Sequence, residues 1–178
     1  VREHFSLTNR CEITAECNPG TIDFEGLKTL YDAGFNRLSL GLQSTDDAML
    51  KRLGRIHCYT DFTRCYRWAR EAGFQNISID LMYGLPNQSM DLWKKTLEEA
   101  VLQNPEHLSC YALKVEEGTP FDSLPLQLPD DDTVRMMYDI CVDFLNSAGY
   151  KRYEISNFAK PERESRHNLK YWQCDDFI

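Results

Sequence analysis

Two carboxylates, an amide and a guanidinium recur at comparable places in the first half of the chain. Glu16 comes near the end of the alternating run 11–17 (CEITAEC), Gln43 ends 37–43 (RLSLGLQ), and Asp80 falls in 76–82 (NISIDLM). Arg55 follows a short helical stretch just after Gln43, and Tyr111 falls in a fourth run, 107–113 (HLSCYAL). Carboxylates accept hydrogen bonds from ribose hydroxyls or an amino group, the Gln amide both donates and accepts, and the Arg fork pairs with a carboxylate. After Asp80 comes Tyr83-Gly84-Leu85-Pro86, a turn whose Gly and Pro bring backbone close to whatever lies beside it. Singly, a Glu or an Arg here also fits a surface ion pair. Their shared placement at the ends of strands is what makes them a candidate site.

That placement depends on the elements between them. Ala-Gly-Phe occurs at 33–35 and 72–74, and Ala-Gly-Tyr at 148–150. Each follows a helical pattern and precedes a strand pattern. Gly34, Gly73 and Gly149 fit the left-handed position that ends a helix, and the aromatic after each fits the residue that folds back on the last turn. The helical patterns carry apolar faces of Phe24, Leu27, Leu30 and Tyr31, then Phe62, Cys65, Tyr66 and Ala69, then Leu92, Trp93, Leu97 and Val101, then Val134, Met137, Cys141, Phe144 and Ala148. A shorter helix is predicted from Asp46 to Leu53. With 152–156 (RYEIS) as a fifth strand, the alternation of strand and helix predicts βα units and a parallel sheet. Right-handed crossovers curl such units towards a barrel, with the site at the C-terminal ends of the strands. The stretch 116–133 reads as a long polar, proline-containing connection.

Strand parity separates two faces. Ile13, Ala15, Leu38, Leu40, Leu42, Ile77, Ile79, Leu81, Leu108, Cys110 and Ala112 form an apolar face expected under the helices. Glu12, Thr14, Glu16, Ser39, Gly41, Gln43, Ser78, Asp80, Met82, Ser109 and Tyr111 form a small, polar face expected to point inward. Closed barrels fill their interior with Val, Ile and Leu. Carboxylates buried there without partners are costly, so the pattern predicts a wet or ligand-filled lumen.

The chain of 178 residues carries a net charge of −8 and 42% hydrophobic residues, enough for a real core. The acidic balance argues against non-specific nucleic-acid binding. No apolar run approaches the roughly 20 residues of a membrane span, and no signal peptide is visible. The seven cysteines include no CxxC or other metal-ligand spacing. They read mostly as small buried thiols in a reducing compartment, and a cytoplasmic location is expected.

Longer motifs carry a resemblance. Cys11 to Gly20 (CEITAECNPG), Phe35 to Ser44 (FNRLSLGLQS), Leu53 to His57 (LGRIH), Ile77 to Pro86 (ISIDLMYGLP), Ser109 to Gly118 (SCYALKVEEG), Tyr153 to Ala159 (YEISNFA) and Glu164 to Trp172 (ESRHNLKYW) occur in this order over nearly the whole chain. The sequence resembles the radical S-adenosylmethionine (SAM) proteins of the haem chaperone and oxygen-independent coproporphyrinogen III oxidase family. The resemblance implies a partial parallel (β/α) barrel of the radical SAM type. It covers later βα units over 1–115, and over 116–178 a continuation of the barrel region and the start of a C-terminal extension. It places Glu16, Gln43, Arg55 and Asp80 on positions that contact S-adenosylmethionine. The His-Asn-x-x-Tyr-Trp segment resembles the chaperone subtype, where it is associated with haem. His167 is then the candidate axial ligand, with Tyr171 and Trp172 as ring surface for the porphyrin.

One expected feature is missing from the sequence. The family holds a [4Fe–4S] cluster with Cys-x3-Cys-x2-Cys, and no such spacing exists here. The chain is therefore expected to be a fragment, its cluster, electron donor and haem acceptor belonging to a full-length parent, and to be inactive alone. The leading expectation is a haem chaperone-like protein handling haem or a porphyrinogen. The alternatives are a true coproporphyrinogen III oxidase, performing oxidative decarboxylation to protoporphyrinogen IX, and an inactive truncated barrel.

Overall fold

Four parallel strands lie side by side in chain order in the computed structural model, which describes residues 7, 8, 11–119 and 121–176. They are β1 (Thr14–Cys17), β2 (Arg37–Gln43), β3 (Ile77–Tyr83) and β4 (His107–Ala112). Helix α1 (Phe24–Asp32) joins β1 to β2, α2 (Asp47–Arg52) and α3 (Tyr59–Ala72) join β2 to β3, and α4 (Met90–Leu102) joins β3 to β4. After a long connection come α5 (Asp131–Ser147), β5 (Lys151–Arg152), β6 (Asn157–Ala159) and α6 (Arg166–Trp172). The strand order is β1-β2-β3-β4-β6-β5 in one open sheet. This is the partial α/β barrel that the βα spacing predicts.

The expectation of a fifth parallel strand over 152–156 is corrected. That segment splits: β5 ends at Arg152, β6 begins at Asn157, and the two pair antiparallel, with Arg152 opposite Phe158. Only residues 153–156 separate them, too short a connection for the crossover that parallel pairing needs. The βα logic keeps the direction of β5 but not its neighbour. Strand β6 inserts between β4 and β5 and pairs antiparallel with both, Leu108 lying opposite Phe158.

The helix ends form as the repeated phrase predicts. Gly34, Gly73 and Gly149 have φ of 96°, 116° and 90°. The next amide reaches back to a carbonyl of the last turn each time: Phe35 N to Leu30 O at 3.1 Å, Phe74 N to Ala69 O at 3.0 Å, Tyr150 N to Leu145 O at 2.9 Å. Gly73 also packs under the ring of Tyr31, where an added Cβ would meet Cζ at 2.7 Å. Asp23, Ser89 and Asp130 cap α1, α4 and α5 through their side chains.

The apolar parity packs under the helices. Leu38, Leu40, Leu42, Ile77, Ile79, Leu81 and Leu108 are fully buried, with Leu27, Phe62, Trp93, Leu97, Met137 and Cys141 against them in one core. Ile13 and Ala15 of the same face are half-buried, and Ala112 is exposed where β4 ends and the chain leaves the sheet. Cys65, Cys110 and Cys141 are buried and all described cysteines are free thiols. At the foot of the sheet, Arg70 pairs with both carboxylate oxygens of Glu106 at 2.9 and 3.1 Å, and Glu106 accepts from Ile77 N at 2.9 Å. This ties α3, β3 and the entry to β4 together, which fixes the register of the polar face above.

Candidate functional site

The polar parity of β1–β4 lines a cleft of about 360 Å³, bordered by Glu16, Arg37, Gln43, Asp80 and Tyr111 and closed on one side by Asn168 of α6. Its floor is Asp80, which pairs with Gly41 and Ser109 in mid-strand rather than at the strand end expected from the sequence. Ser39 Oγ lies 3.0 Å from both carboxylate oxygens of Asp80, and Ser78 Oγ lies 3.4 Å from one of them. Burial raises the pKa of the Asp80 carboxyl, while hydrogen bonds from Ser39 and Ser109 and the charge of Arg37 act against that rise. The result is a carboxylate held by small hydroxyls, with room above it for a ligand's donors.

Gln43 sits at the rim in a left-handed backbone conformation, φ 68°. The register slips between Gly41 and Gln43, so β2 bulges there. Parity alone does not predict this turn. The backbone reversal lays the Gln43 amide over Gly41: an added Cβ at 41 would meet Gln43 Nε2 at 2.9 Å and Asn18 Oδ1 at 3.3 Å. A side chain at position 41 would therefore displace the Gln43 amide that borders the cleft and crowd Asn18 beside it.

Arg55 is not brought into this cleft. Its Nη1 donates to Asn18 Oδ1 at 2.8 Å, and it borders an adjoining groove of about 600 Å³ with Arg52, Lys114 and Phe121. Met82 borders both spaces. Arg55 is thus one layer out from Glu16, Gln43 and Asp80.

Three residues of this site were not singled out from sequence. Arg37 is 5% exposed, faces the cleft, and its Nε has no hydrogen-bond partner. His107 is fully buried, its Nδ1 2.8 Å from Ser78 Oγ and its Nε2 2.8 Å from the Tyr153 hydroxyl. Burial and then the charge of Arg37 drive its pKa well below the usual imidazole range, so it is neutral. Burial likewise pushes the Tyr153 phenol up to about 12. The signal for Arg37 and His107 was present: both share strand parity with the polar face.

Helix α6 contains no buried residue. Ser165 caps it, its Oγ accepting from Asn168 N at 3.3 Å, and Arg166 N donates to Glu12 Oε1 at 3.1 Å. The His167 and Tyr171 rings stand edge-on with centroids 5.0 Å apart, the same-face pairing expected for positions one turn apart. His167 borders a cavity of about 650 Å³ beside the cleft, and Glu16, Arg37 and Asn168 border both. Tyr171 and Trp172 are 54% and 55% exposed and line neither space. Among the described residues, no group of three or more His, Cys, Asp or Glu is placed to hold a metal ion.

Comparison with known proteins places this geometry. The model of the radical SAM superfamily matches residues 1–100. "Heme chaperone HemW" of Escherichia coli (strain K12) is 42% identical over 178 residues, covering 100% of this chain and 47% of that protein. "Heme chaperone HemW" of Bacillus subtilis (strain 168) is 41% identical over 171 residues, covering 94% and 45%. The mouse (Mus musculus) protein "Radical S-adenosyl methionine domain-containing protein 1, mitochondrial" is 40% identical over 182 residues, covering 100% and 41%. The chain spans about half the length, or somewhat less, of these relatives. Among solved structures, coproporphyrinogen III oxidase (HemN) from Escherichia coli, described as a radical SAM enzyme, superimposes with a TM-score of 0.80 at 27% identity, over 97% of this chain and 40% of that one. With a family match over more than half its length and an open, mostly parallel partial barrel to go with it, the chain belongs to the radical SAM superfamily.

Proposed function

We propose that this is a haem chaperone-like protein that binds S-adenosylmethionine in the polar cleft and haem at α6. The carrying observation is the cleft itself: Glu16, Gln43 and Asp80 converge on one polar face and α6 closes its side. The similarity to heme chaperones over the whole chain supports the second ligand. Asp80 and Glu16 suit the ribose hydroxyls and amino group of S-adenosylmethionine, and the Gln43 amide suits its polar edge. Arg55, one layer out, would meet the ligand's carboxylate only at the cleft mouth. In this reading residues 1–115 are the later βα units of the barrel, and 116–178 continue the barrel region, border the cleft through Asn168 and start the extension that carries His167. All described cysteines are free thiols, which suits a reducing compartment, and we place the protein in the cytoplasm.

The described residues do not fit a [4Fe–4S] cluster, since their thiols are scattered and no ligand group forms. The cluster, an electron donor and a haem acceptor belong, in this proposal, to the full-length protein. His167 offers the imidazole for haem iron, and the Tyr171 ring beside it offers apolar surface.

Titration of the full-length protein with haem tests the assignment. His167→Ala is expected to shift the Soret band and weaken affinity, and an unchanged spectrum and affinity would remove His167 as the ligand. The likeness to coproporphyrinogen III oxidase favours a second reading, oxidative decarboxylation of a porphyrinogen. Product formation from coproporphyrinogen III by the reconstituted full-length protein would promote it.

A further inference from the structure

A line of hydrogen bonds leaves the cleft floor and returns to the cleft through α6. Ser78 Oγ lies 3.4 Å from Asp80 Oδ1 and 2.8 Å from His107 Nδ1. His107 Nε2 lies 2.8 Å from the Tyr153 hydroxyl, which accepts from the backbone N–H of Ser165 at 3.2 Å. Ser165 caps α6, and the Tyr153 hydroxyl also bonds the side chain of Asn168, which lines the cleft.

The proton order along this line follows from the groups. When Asp80 is ionised it only accepts, and a Ser78 hydroxyl that donates to it has no second proton to give. Ser78 then accepts from His107 Nδ1–H, which leaves Nε2 as the acceptor for the Tyr153 O–H. Burial keeps the imidazole neutral, so it carries one proton and joins one donor to one acceptor whichever ring nitrogen holds it. Helix α6 depends on this line more than an ordinary helix would. It has seven residues and none is buried, so packing does not fix it. Arg166 N to Glu12 Oε1 is a further tether near the cap.

We propose that His107 and Tyr153 are positioning residues that connect Asp80 to the cap of α6, so that a ligand on Asp80 and a ligand on His167 bind with positive cooperativity. A ligand whose hydroxyls donate to Asp80 holds the carboxylate and Ser39, Ser78 and Ser109 in one arrangement. The strut then stiffens, α6 is ordered before the second ligand arrives, and that ligand has less to order. By linkage, each ligand raises the other's affinity by the same factor. The cooperative half rests on the proposed function; the strut does not.

Two measurements on the full-length protein separate these. In the unliganded protein, Tyr153→Phe is expected to raise amide hydrogen exchange over residues 165–169 by about fivefold, the loss of roughly one net hydrogen bond, while β4 is unchanged. His107→Gln is the second variant should the first not fold. Unchanged exchange in α6, or an equal rise throughout the protein, overturns the strut. With S-adenosylhomocysteine and haem as probes, the wild type is expected to show mutual tightening of about fivefold or more, and Tyr153→Phe to bring that factor close to one while both ligands still bind. A purely structural role would weaken both affinities and leave the mutual tightening factor unmoved, which overturns the coupling, as would independent binding in the wild type. Failure of the wild type to bind either probe overturns the proposed function and the coupling with it, and the exchange result still decides the strut.

Discussion

In β2 and β3 the mid-strand cleft residues are flanked by fully buried aliphatics: Ser39 by Leu38 and Leu40, Asp80 by Ile79 and Leu81. In α6, which closes the same cleft, no residue is buried, and the helix is held by its cap and a few hydrogen bonds. The two walls therefore differ in what fixes them. The strand wall is positioned by burial that is independent of the cleft's contents. The helix wall is positioned by polar contacts that run into the cleft floor. A site built this way has one rigid side that recognises and one adjustable side that responds.

Core truncation should break this contrast most visibly. Leu40→Ala is expected to cost about 2–5 kcal/mol of global stability, and Leu169→Ala in α6 under about 1 kcal/mol, both read from urea denaturation of the full-length protein. Comparable losses would mean that α6 is packed as firmly as the sheet.

Ligand binding comes next in size. Asp80→Ala is expected to weaken S-adenosylhomocysteine binding by about 1–3 kcal/mol, the cost of stranding polar partners, in isothermal titration. Arg55→Ala is expected to cost less, because Arg55 borders the adjoining groove and bonds Asn18. An Arg55 effect as large as that of Asp80 would extend the site across Met82.

The pH response probes the strut. His107 is neutral in the fold with its pKa depressed, whereas in the unfolded chain it takes up a proton below about 6.5. The unfolded state then binds more protons, so stability is fully present above that pH and falls as pH drops from about 6.5 towards the folded value. His107 contributes at most about 1.4 kcal/mol per pH unit to this slope. Burial also lowers the pKa of His57, so His107→Gln should reduce the slope between pH 7 and 5.5 rather than abolish it. An unreduced slope would mean that His107 is not the buried neutral group.

The smallest effect is local. Ser165→Ala removes the α6 cap and is expected to cost about 1 kcal/mol there, seen as faster amide exchange in α6 with an unshifted urea midpoint. A shifted midpoint would tie α6 into the global unfolding unit.

Much of the architecture was determined by the sequence alone. Period-2 alternation assigns Leu38, Leu40 and Leu42 to one face and Ser39 to the other, and Gly34, Gly73 and Gly149 end helices because the left-handed backbone there suits a residue without Cβ. These are local rules, and local rules read directly from residue order. Tertiary structure alone decided the rest. β6 separates β5 from β4 because strand neighbours are chosen by partners far along the chain. The turn at Gln43 comes from a slipped register with β3, which depends on both strands. His107 and Tyr153, 46 residues apart, meet because α5 and the β5–β6 hairpin return the chain to the cleft. Arg55 and Asp80, both legible as polar ligands, fall in neighbouring spaces because which cavity a side chain enters depends on the packing of every element around it.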